Sequence, residues 1–201
     1  MTELEKAKAL SQYYTGGDLA RKIIEWAEIS RGMKVLEPSA GDGGFVRHIP
    51  KNTRLRAFDI DPENVELLKR IGHPSMEVAC GDFLRMRRSQ NAADLAVMNP
   101  PYENGADGAH VAHALRWAER VIALVRTNFE YGVDRYHTVF RWAQVTRRVV
   151  LTRRPMFYGP ADEGQKARHD YVILELVRRD DRVKDPSPDR VDTEYWTDIW
   201  N

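Results

Sequence analysis

Short apolar stretches that end in polar or glycine-rich turns alternate with amphipathic helical stretches along most of this chain. The alternation predicts seven strands, over 33–37, 54–61, 76–83, 93–99, 121–129, 147–152 and 171–177. Helical spacing of apolar residues predicts helices over 18–30, 62–72, 108–120 and 134–146, and the start of another at 45–49. Alternation of strands with helices predicts an α/β fold, in which helices cover both faces of a mostly parallel, seven-stranded sheet.

The end of the chain departs from this alternation. No helix separates the last two strands, so we predict that they form an antiparallel edge joined by a long loop over about 155–170. After residue 178 the sequence becomes polar, and it finishes in the aromatic stretch EYWTDIWN. We therefore predict a folded domain over 1–178 and a polar linker with an aromatic tail over 179–201. The tail could dock on the domain, touch a partner or stay free.

Composition limits the class of protein. The chain has 201 residues, 42% of them apolar and 30% charged, which suits one soluble domain with a full core. The sequence has no apolar run long enough to span a bilayer and no signal-peptide core at its start, so we expect a cytoplasmic protein without a membrane partner. The one cysteine, Cys80, excludes an internal disulfide and is expected to be buried in its strand.

The net charge is +1, but arginines cluster within 85–88 and 147–154. Nucleic acid needs only one basic face, which these clusters could supply. Solvated arginines at the ends of strands and helices explain the clusters equally well. Charge alone leaves both interpretations open.

The turn EPSAGDGGF, residues 37–45, follows the first predicted strand. Its glycines let the backbone approach a ligand closely. Asp59 ends the next strand, where a carboxylate can accept hydrogen bonds from ribose hydroxyls. Glu37 would repel a pyrophosphate and attract an ammonium group, so the pattern favours a nucleoside that carries an amino acid over a dinucleotide. A purely structural turn is the alternative.

The fourth predicted strand ends in NPPY, residues 99–102. Proline has no N–H and a fixed φ, and it holds the preceding residue in an extended conformation. The turn therefore places rigid acceptors, without competing proline donors, between an amide side chain and an aromatic ring. An incidental turn from strand to loop is the alternative.

Five segments together resemble class I S-adenosylmethionine-dependent methyltransferases. VLEPSAGDGGF resembles their glycine-rich first motif, FDIDP their acidic second motif, and GDF at 81–83 their third. NPPY resembles the catalytic motif of amino-methyltransferases. QYYTGG at 12–17 resembles a segment that precedes the first motif in DNA adenine-N6 methyltransferases, although Gly16 replaces their usual proline. The resemblance covers about residues 11–177 and implies a doubly wound, Rossmann-like fold, with S-adenosylmethionine as cofactor and S-adenosylhomocysteine as product.

The resemblance also implies roles for individual residues. The residues that it assigns to the cofactor are Tyr14, Thr15, Glu37, Pro38, Ser39, Gly41, Gly43, Asp59, Ile60, Asp82, Phe83 and Asn99. The side-chain oxygen of Asn99 and the carbonyl of Pro100 would each accept one N–H of a planar amine. Pro101 would border the substrate and Tyr102 would stack on its base, which in a duplex must first be flipped out.

The resemblance favours the N6 amine of adenine in DNA as the substrate and restriction-modification as a setting. Adenine N6 in RNA, glutamine N5 in protein and a non-catalytic partner subunit are the alternatives. Cytosine-C5 methylation is excluded because Asn99 stands where that chemistry needs a cysteine. His110 and His113 are interpreted as ordinary helix residues, since no third ligand at metal spacing accompanies them.

We expect no separate target-recognition domain of substantial length within these 201 residues. We therefore predict that the loop over 153–170 contacts nucleic acid through Arg153, Arg154, Lys166 and His169. DNA is favoured over RNA as the partner. A second copy of the chain or a separate recognition subunit could complete target recognition.

Overall fold

The structure, a computed structural model, describes residue 2 and residues 12–87, 93–160, 169–179 and 191–197. The strands are β1 Tyr14–Thr15, β2 Lys34–Glu37, β3 Arg54–Asp59, β4 Met76–Cys80, β5 Ala93–Met98, β6 Ala118–Arg126, β7 Ala143–Leu151, β8 Phe157–Tyr158, β9 Tyr171–Arg178 and β10 Asp192–Trp196. The α-helices are α1 Gly17–Trp26, α2 Pro62–Arg70, α3 Ala106–Trp117 and α4 Val133–Arg135.

The main sheet has eight strands in the order β10-β7-β9-β6-β5-β2-β3-β4. β9 is antiparallel to both of its neighbours, and every other pairing is parallel. β2 pairs with β3 on one side and β5 on the other, so the strand order reverses at β2. In open α/β sheets the crevice outside the carboxyl ends of strands at such a switch point is the usual ligand site.

Two apolar cores lie on opposite faces of this sheet. Leu95 and Val97 of β5 belong to one core, and Ala96 and Met98 belong to the other. This alternation follows from the two-residue period of a strand. Residues of α1 and α2 join the first core and residues of α3 join the second, which confirms the prediction of an α/β sheet covered on both faces.

Two details of the predicted sheet are wrong. The antiparallel strand lies between β6 and β7 rather than at an edge, and the sheet has an eighth strand. That strand, β10, belongs to the segment predicted as an aromatic tail and pairs with β7. Trp26 donates from its indole nitrogen to Glu194 at 2.8 Å and packs edge-on against Trp196 at 6.4 Å between ring centroids. Of the three alternatives for the tail, the structure therefore shows docking on the domain for this part of it.

Other local predictions also differ from the structure. Residues 41–49 form successive turns rather than the start of a helix. The segment predicted as a helix over 134–146 consists of α4 and a π-helix over Tyr136–Phe140, and it ends before β7. Pairing with β9 over the length of β7 outweighs the local helical spacing there. Cys80 is exposed because β4 is an edge strand. Among the described residues, no helix is long and apolar enough to cross a membrane.

Candidate active site

A cavity of about 390 Å³ lies at the carboxyl ends of β2, β3, β4 and β5. Of the residues predicted for a site, those that line it are Tyr14, Thr15, Pro38, Ser39, Gly41, Asp59, Ile60, Asp82, Phe83, Asn99 and Pro101. Glu37, Gly43, Pro100 and Tyr102 lie outside this lining. The structure thus brings segments from five parts of the chain to the switch point of the sheet.

The glycine-rich turn is held against the end of β3. The backbone N–H of Gly41 donates to the Asp59 carboxylate at 2.7 Å. A Cβ on Gly41 would lie 2.8 Å from the Tyr14 ring, and Gly41 has a φ of +55°, so the position favours glycine twice over. A Cβ on Gly43 would lie 2.2 Å from Ile71. Gly43 therefore lets the turn pack against the end of α2 rather than facing the cavity.

The Asp59 carboxylate holds the turn through several hydrogen bonds. Besides the Gly41 N–H, it accepts hydrogen bonds from the Asp61 backbone N–H at 2.9 Å and from the Asn64 side-chain amide at 3.1 Å. Burial raises the pKa of Asp59 in spite of these donors. Two carboxylate oxygens offer about four acceptor positions, so capacity remains for a hydroxyl. Asn64 and Gln12 also line the cavity, and neither was among the residues predicted for the site. The Gln12 side-chain amide donates to Asp61 at 2.6 Å.

Two buried polar atoms near the cavity lack partners among the described residues. Glu37 is 1% exposed, and only one of its carboxylate oxygens accepts a hydrogen bond, from the Ser39 backbone N–H at 3.4 Å. Its other oxygen, Oε2, is unpaired, and so is the Thr15 hydroxyl. Burial raises the pKa of Glu37 well above its usual range. A cation beside a buried carboxyl group stabilises its ionised form, and an ammonium group would be such a cation.

The Asn99 amide is held from two sides. Its nitrogen donates to the Tyr13 carbonyl at 3.1 Å, and its oxygen accepts a hydrogen bond from the Tyr102 hydroxyl. The Ser39 hydroxyl donates to the Asn99 backbone carbonyl at 3.2 Å and so ties β5 to the glycine-rich turn. These partners distinguish the two ends of the amide. An amide oxygen has two lone pairs, so Oδ1 can accept a second hydrogen bond.

Tyr102 lies in the core, where it is 7% exposed. Its ring packs edge-on against Tyr171 at 5.4 Å, and the Arg126 guanidinium lies 5.1 Å from its centroid. The hydroxyl also lies 3.2 Å from the Leu124 carbonyl. Tyr102 thus lies outside the cavity lining, and in this conformation its hydroxyl orients the Asn99 amide. Its stacking on a base stays a prediction.

A two-stranded sheet packs over the glycine-rich turn. β1 pairs with β8, so that Tyr14 lies opposite Tyr158. Tyr14 donates to Asn64 at 3.0 Å and Tyr158 donates to Asp42 at 2.9 Å. Gly159 has a φ of +114°, and a Cβ there would lie 2.7 Å from the Gln12 carbonyl and 2.8 Å from the Tyr14 ring. The loop predicted to contact nucleic acid thus also holds Tyr14 in place.

The predicted nucleic-acid contacts do not line the cavity. Arg153, Arg154 and His169 are exposed, and Arg154 forms an ion pair with Asp170 at 2.9 Å. Lys166 lies outside the described residues. Among the described residues, no cluster of side chains could hold a metal ion.

Known proteins similar to this chain are methyltransferases, although no protein-family model matches it. The chain is 32% identical over 114 residues to the type II methyltransferase M.TthHB8I of Thermus thermophilus, a match over 54% of this chain and 25% of that protein. It is 30% identical over 128 residues to the rRNA adenine N-6-methyltransferase of Saccharopolyspora erythraea, over 62% of this chain and 33% of that protein. The chain therefore matches a quarter to a third of the length of these relatives.

The fold resembles that of a Listeria monocytogenes protein described as a class I S-adenosylmethionine-dependent methyltransferase. The TM-score is 0.68 at 12% identity, over 90% of this chain and 65% of that one. This similarity confirms the predicted Rossmann-like fold, with a mainly parallel sheet and one antiparallel strand.

Proposed function

We propose that this chain transfers a methyl group from S-adenosylmethionine to the N6 amine of adenine in nucleic acid, with DNA as the favoured polymer. The observation that carries the proposal is the Asn99 amide, which lines the cavity and has its nitrogen and oxygen distinguished by the Tyr13 carbonyl and the Tyr102 hydroxyl. An oriented amide oxygen, followed by two prolines without N–H groups, suits an amine that must donate.

S-adenosylmethionine as the cofactor is supported by the similar proteins and by the chemistry of the cavity. The unpaired oxygen of Glu37 suits its ammonium group, and the unpaired hydroxyl of Thr15 suits its carboxylate. Asp59 retains acceptor capacity for ribose hydroxyls, while Phe83 and Ile60 offer apolar contact to the adenine. When bound, the cofactor supplies an electrophilic methyl group on a sulfonium.

The protein contributes orientation and acceptors to the reaction. The oxygen of Asn99 and the carbonyl of Pro100 would each accept one N–H of the target amine. These two acceptors favour a pyramidal nitrogen whose lone pair points towards the methyl carbon, and they stabilise the positive charge that develops on it. The nitrogen–carbon bond forms as the carbon–sulfur bond breaks, and the proton of the resulting ammonium leaves to water.

The choice of DNA rests on EPSAG and QYYTGG, which resemble DNA adenine methyltransferases most. Adenine N6 in RNA is the second candidate, because an rRNA adenine N-6-methyltransferase is as similar to this chain as a type II methyltransferase is. The deciding experiment offers labelled S-adenosylmethionine with duplex DNA, single-stranded DNA, RNA or protein and identifies the methylated base. N6-methyladenine in DNA supports the proposal. Label only in RNA moves it to the second candidate, and label only in protein overturns both.

Replacing Gly159 with alanine is expected to weaken cofactor binding about tenfold, because the added Cβ would displace Tyr14 from the cavity wall. Isothermal titration with S-adenosylhomocysteine measures the change. Gly132→Ala is the matched control: Gly132 has a similar φ of +103° but no atom within 4 Å of the added Cβ. Equal losses in both variants would assign the effect to backbone strain and contradict the role given to Tyr14.

The double variant Arg153→Ala and Arg154→Ala is expected to weaken DNA binding about tenfold and to reduce the slope of log affinity against log salt by about two, one for each phosphate contact. Fluorescence anisotropy at several salt concentrations measures both quantities. Arg31 and Arg70 are exposed and lie at the opposite, amino-terminal edge of the sheet, so their double alanine variant is the control. An unchanged slope would remove the 153–170 loop from the interface.

A further inference from the structure

His110 lies at one end of the cavity. It stands in the first half of α3 and lines the cavity together with Asp82 and Phe83. Its ring centroid is 6.2 Å from that of Phe83, with a tilt of 34° between the planes. His110 is predicted from the sequence to be an ordinary helix residue, but α3 places it beside the segment predicted to meet the adenine of the cofactor.

One hydrogen bond sets the tautomer of His110. Nδ1 lies 2.8 Å from the Ala106 carbonyl, which can only accept, so Nδ1 carries the hydrogen. Burial lowers the pKa of His110; His113 also lowers it, and Asp82 and Asp107 oppose the shift. The ring is therefore neutral at pH 7, and its other nitrogen, Nε2, presents a lone pair. Nε2 has no hydrogen-bond partner within the described part of the chain.

Asp82 can accept only one hydrogen of an adenine amine, because the two N–H bonds of the amine point in different directions. Its carboxylate also accepts the Leu84 backbone N–H at 3.0 Å and lies 3.3 Å from the Arg85 guanidinium. An exocyclic amine has two hydrogens, and each loses a water acceptor when the base enters the cavity. A second acceptor beside Asp82 avoids leaving one of these donors unpaired.

We propose that Nε2 of His110 accepts a hydrogen bond from the N6 amine of the cofactor's adenine, and that with Asp82 it selects adenine over a 6-oxopurine. The inference rests on the proposed function, because it takes S-adenosylmethionine as the ligand. A 6-oxopurine presents a carbonyl at this position, and a carbonyl facing two acceptors finds no donor.

The test compares the binding of S-adenosylhomocysteine with that of S-inosylhomocysteine, in which a carbonyl replaces the amine. His110→Phe is expected to weaken S-adenosylhomocysteine about tenfold, the equivalent of one hydrogen bond, and to leave S-inosylhomocysteine within about twofold. His110→Gln keeps an acceptor and should restore most of the preference for adenine. His137→Gln, at an exposed histidine outside the cavity lining, is the control.

The outcomes separate this inference from the proposed function. If both ligands weaken equally in His110→Phe, or if neither changes, His110 only fills space and the inference fails while the cofactor assignment stands. If the unaltered protein binds neither ligand, the cofactor assignment and the inference fail together. A preference for adenine that depends on the imidazole or glutamine acceptor supports both.

Discussion

Replacing Asn99 with alanine is expected to reduce methyl transfer at least 100-fold, because removing one preorganised hydrogen-bonding group that acts in the transition state costs about 10²–10³ in rate. The variant loses the oriented oxygen but keeps the two prolines and their carbonyls. Single-turnover transfer of a labelled methyl group to DNA measures the rate. Cofactor affinity should change only a few-fold, since the Asn99 side chain contacts Tyr13 and Tyr102 rather than the turn that holds the cofactor.

The matched control is Asn52→Ala, at an exposed asparagine in a turn before β3. It should transfer methyl groups at the unaltered rate. A rate within tenfold of the unaltered protein in Asn99→Ala would remove the amide from the reaction and with it the main support for the proposed function. Loss of cofactor affinity in parallel with rate would instead make Asn99 part of the cofactor site.

Residues at the carboxyl ends of strands could be placed from the sequence because a parallel sheet brings those ends to one edge. Glu37 ends β2, Asp59 ends β3 and Asn99 follows β5. Each stands after a short apolar run, so local patterns were enough to predict that they share a site. The structure brings Asp59 and Asn99 to the cavity wall and places Glu37 just behind Ser39.

Contacts between distant segments could not be predicted in this way. Pairing of Tyr14 with Tyr158 joins two-residue strands far apart in the chain, and strands so short carry no alternation of their own. The parallel pairing of β10 with β7 likewise joins distant segments, and Trp196 of β10 packs against Trp26 of α1. The burial of Tyr102 follows from neighbours that lie on other elements, so no local pattern around NPPY predicts it.

Replacing Glu37 with glutamine is expected to have opposite effects on binding and stability. The cofactor's ammonium would lose a buried charged partner, which costs about 2–5 kcal/mol and weakens binding roughly 30-fold or more. The unliganded protein should become more stable at pH 7. Burial raises the pKa of Glu37 in the folded state. At pH 7 the folded protein must therefore either bury the charge of Glu37 or keep a proton on it, and both cost free energy relative to the unfolded chain. The gain appears as a larger free energy of unfolding for Glu37→Gln than for the unaltered protein at pH 7.

The pH dependence gives the sharper measurement. The pKa of Glu37 is higher in the folded protein than in the unfolded chain. Its contribution to stability is therefore fully present below the pKa of the unfolded chain, and it is lost as the pH rises through the pKa of the folded protein. The stability gain of Glu37→Gln, from urea titrations, should therefore shrink towards zero as the pH is lowered below about 4. Cofactor affinity should fall with acid in the unaltered protein, because protonated Glu37 cannot pair with an ammonium, and this component should vanish in the variant. If Glu37→Gln is less stable and binds the cofactor with unchanged affinity, Glu37 is a structural residue. A carboxylate that serves to bind a cation should instead lower the stability of the unliganded protein and raise its affinity for the cofactor.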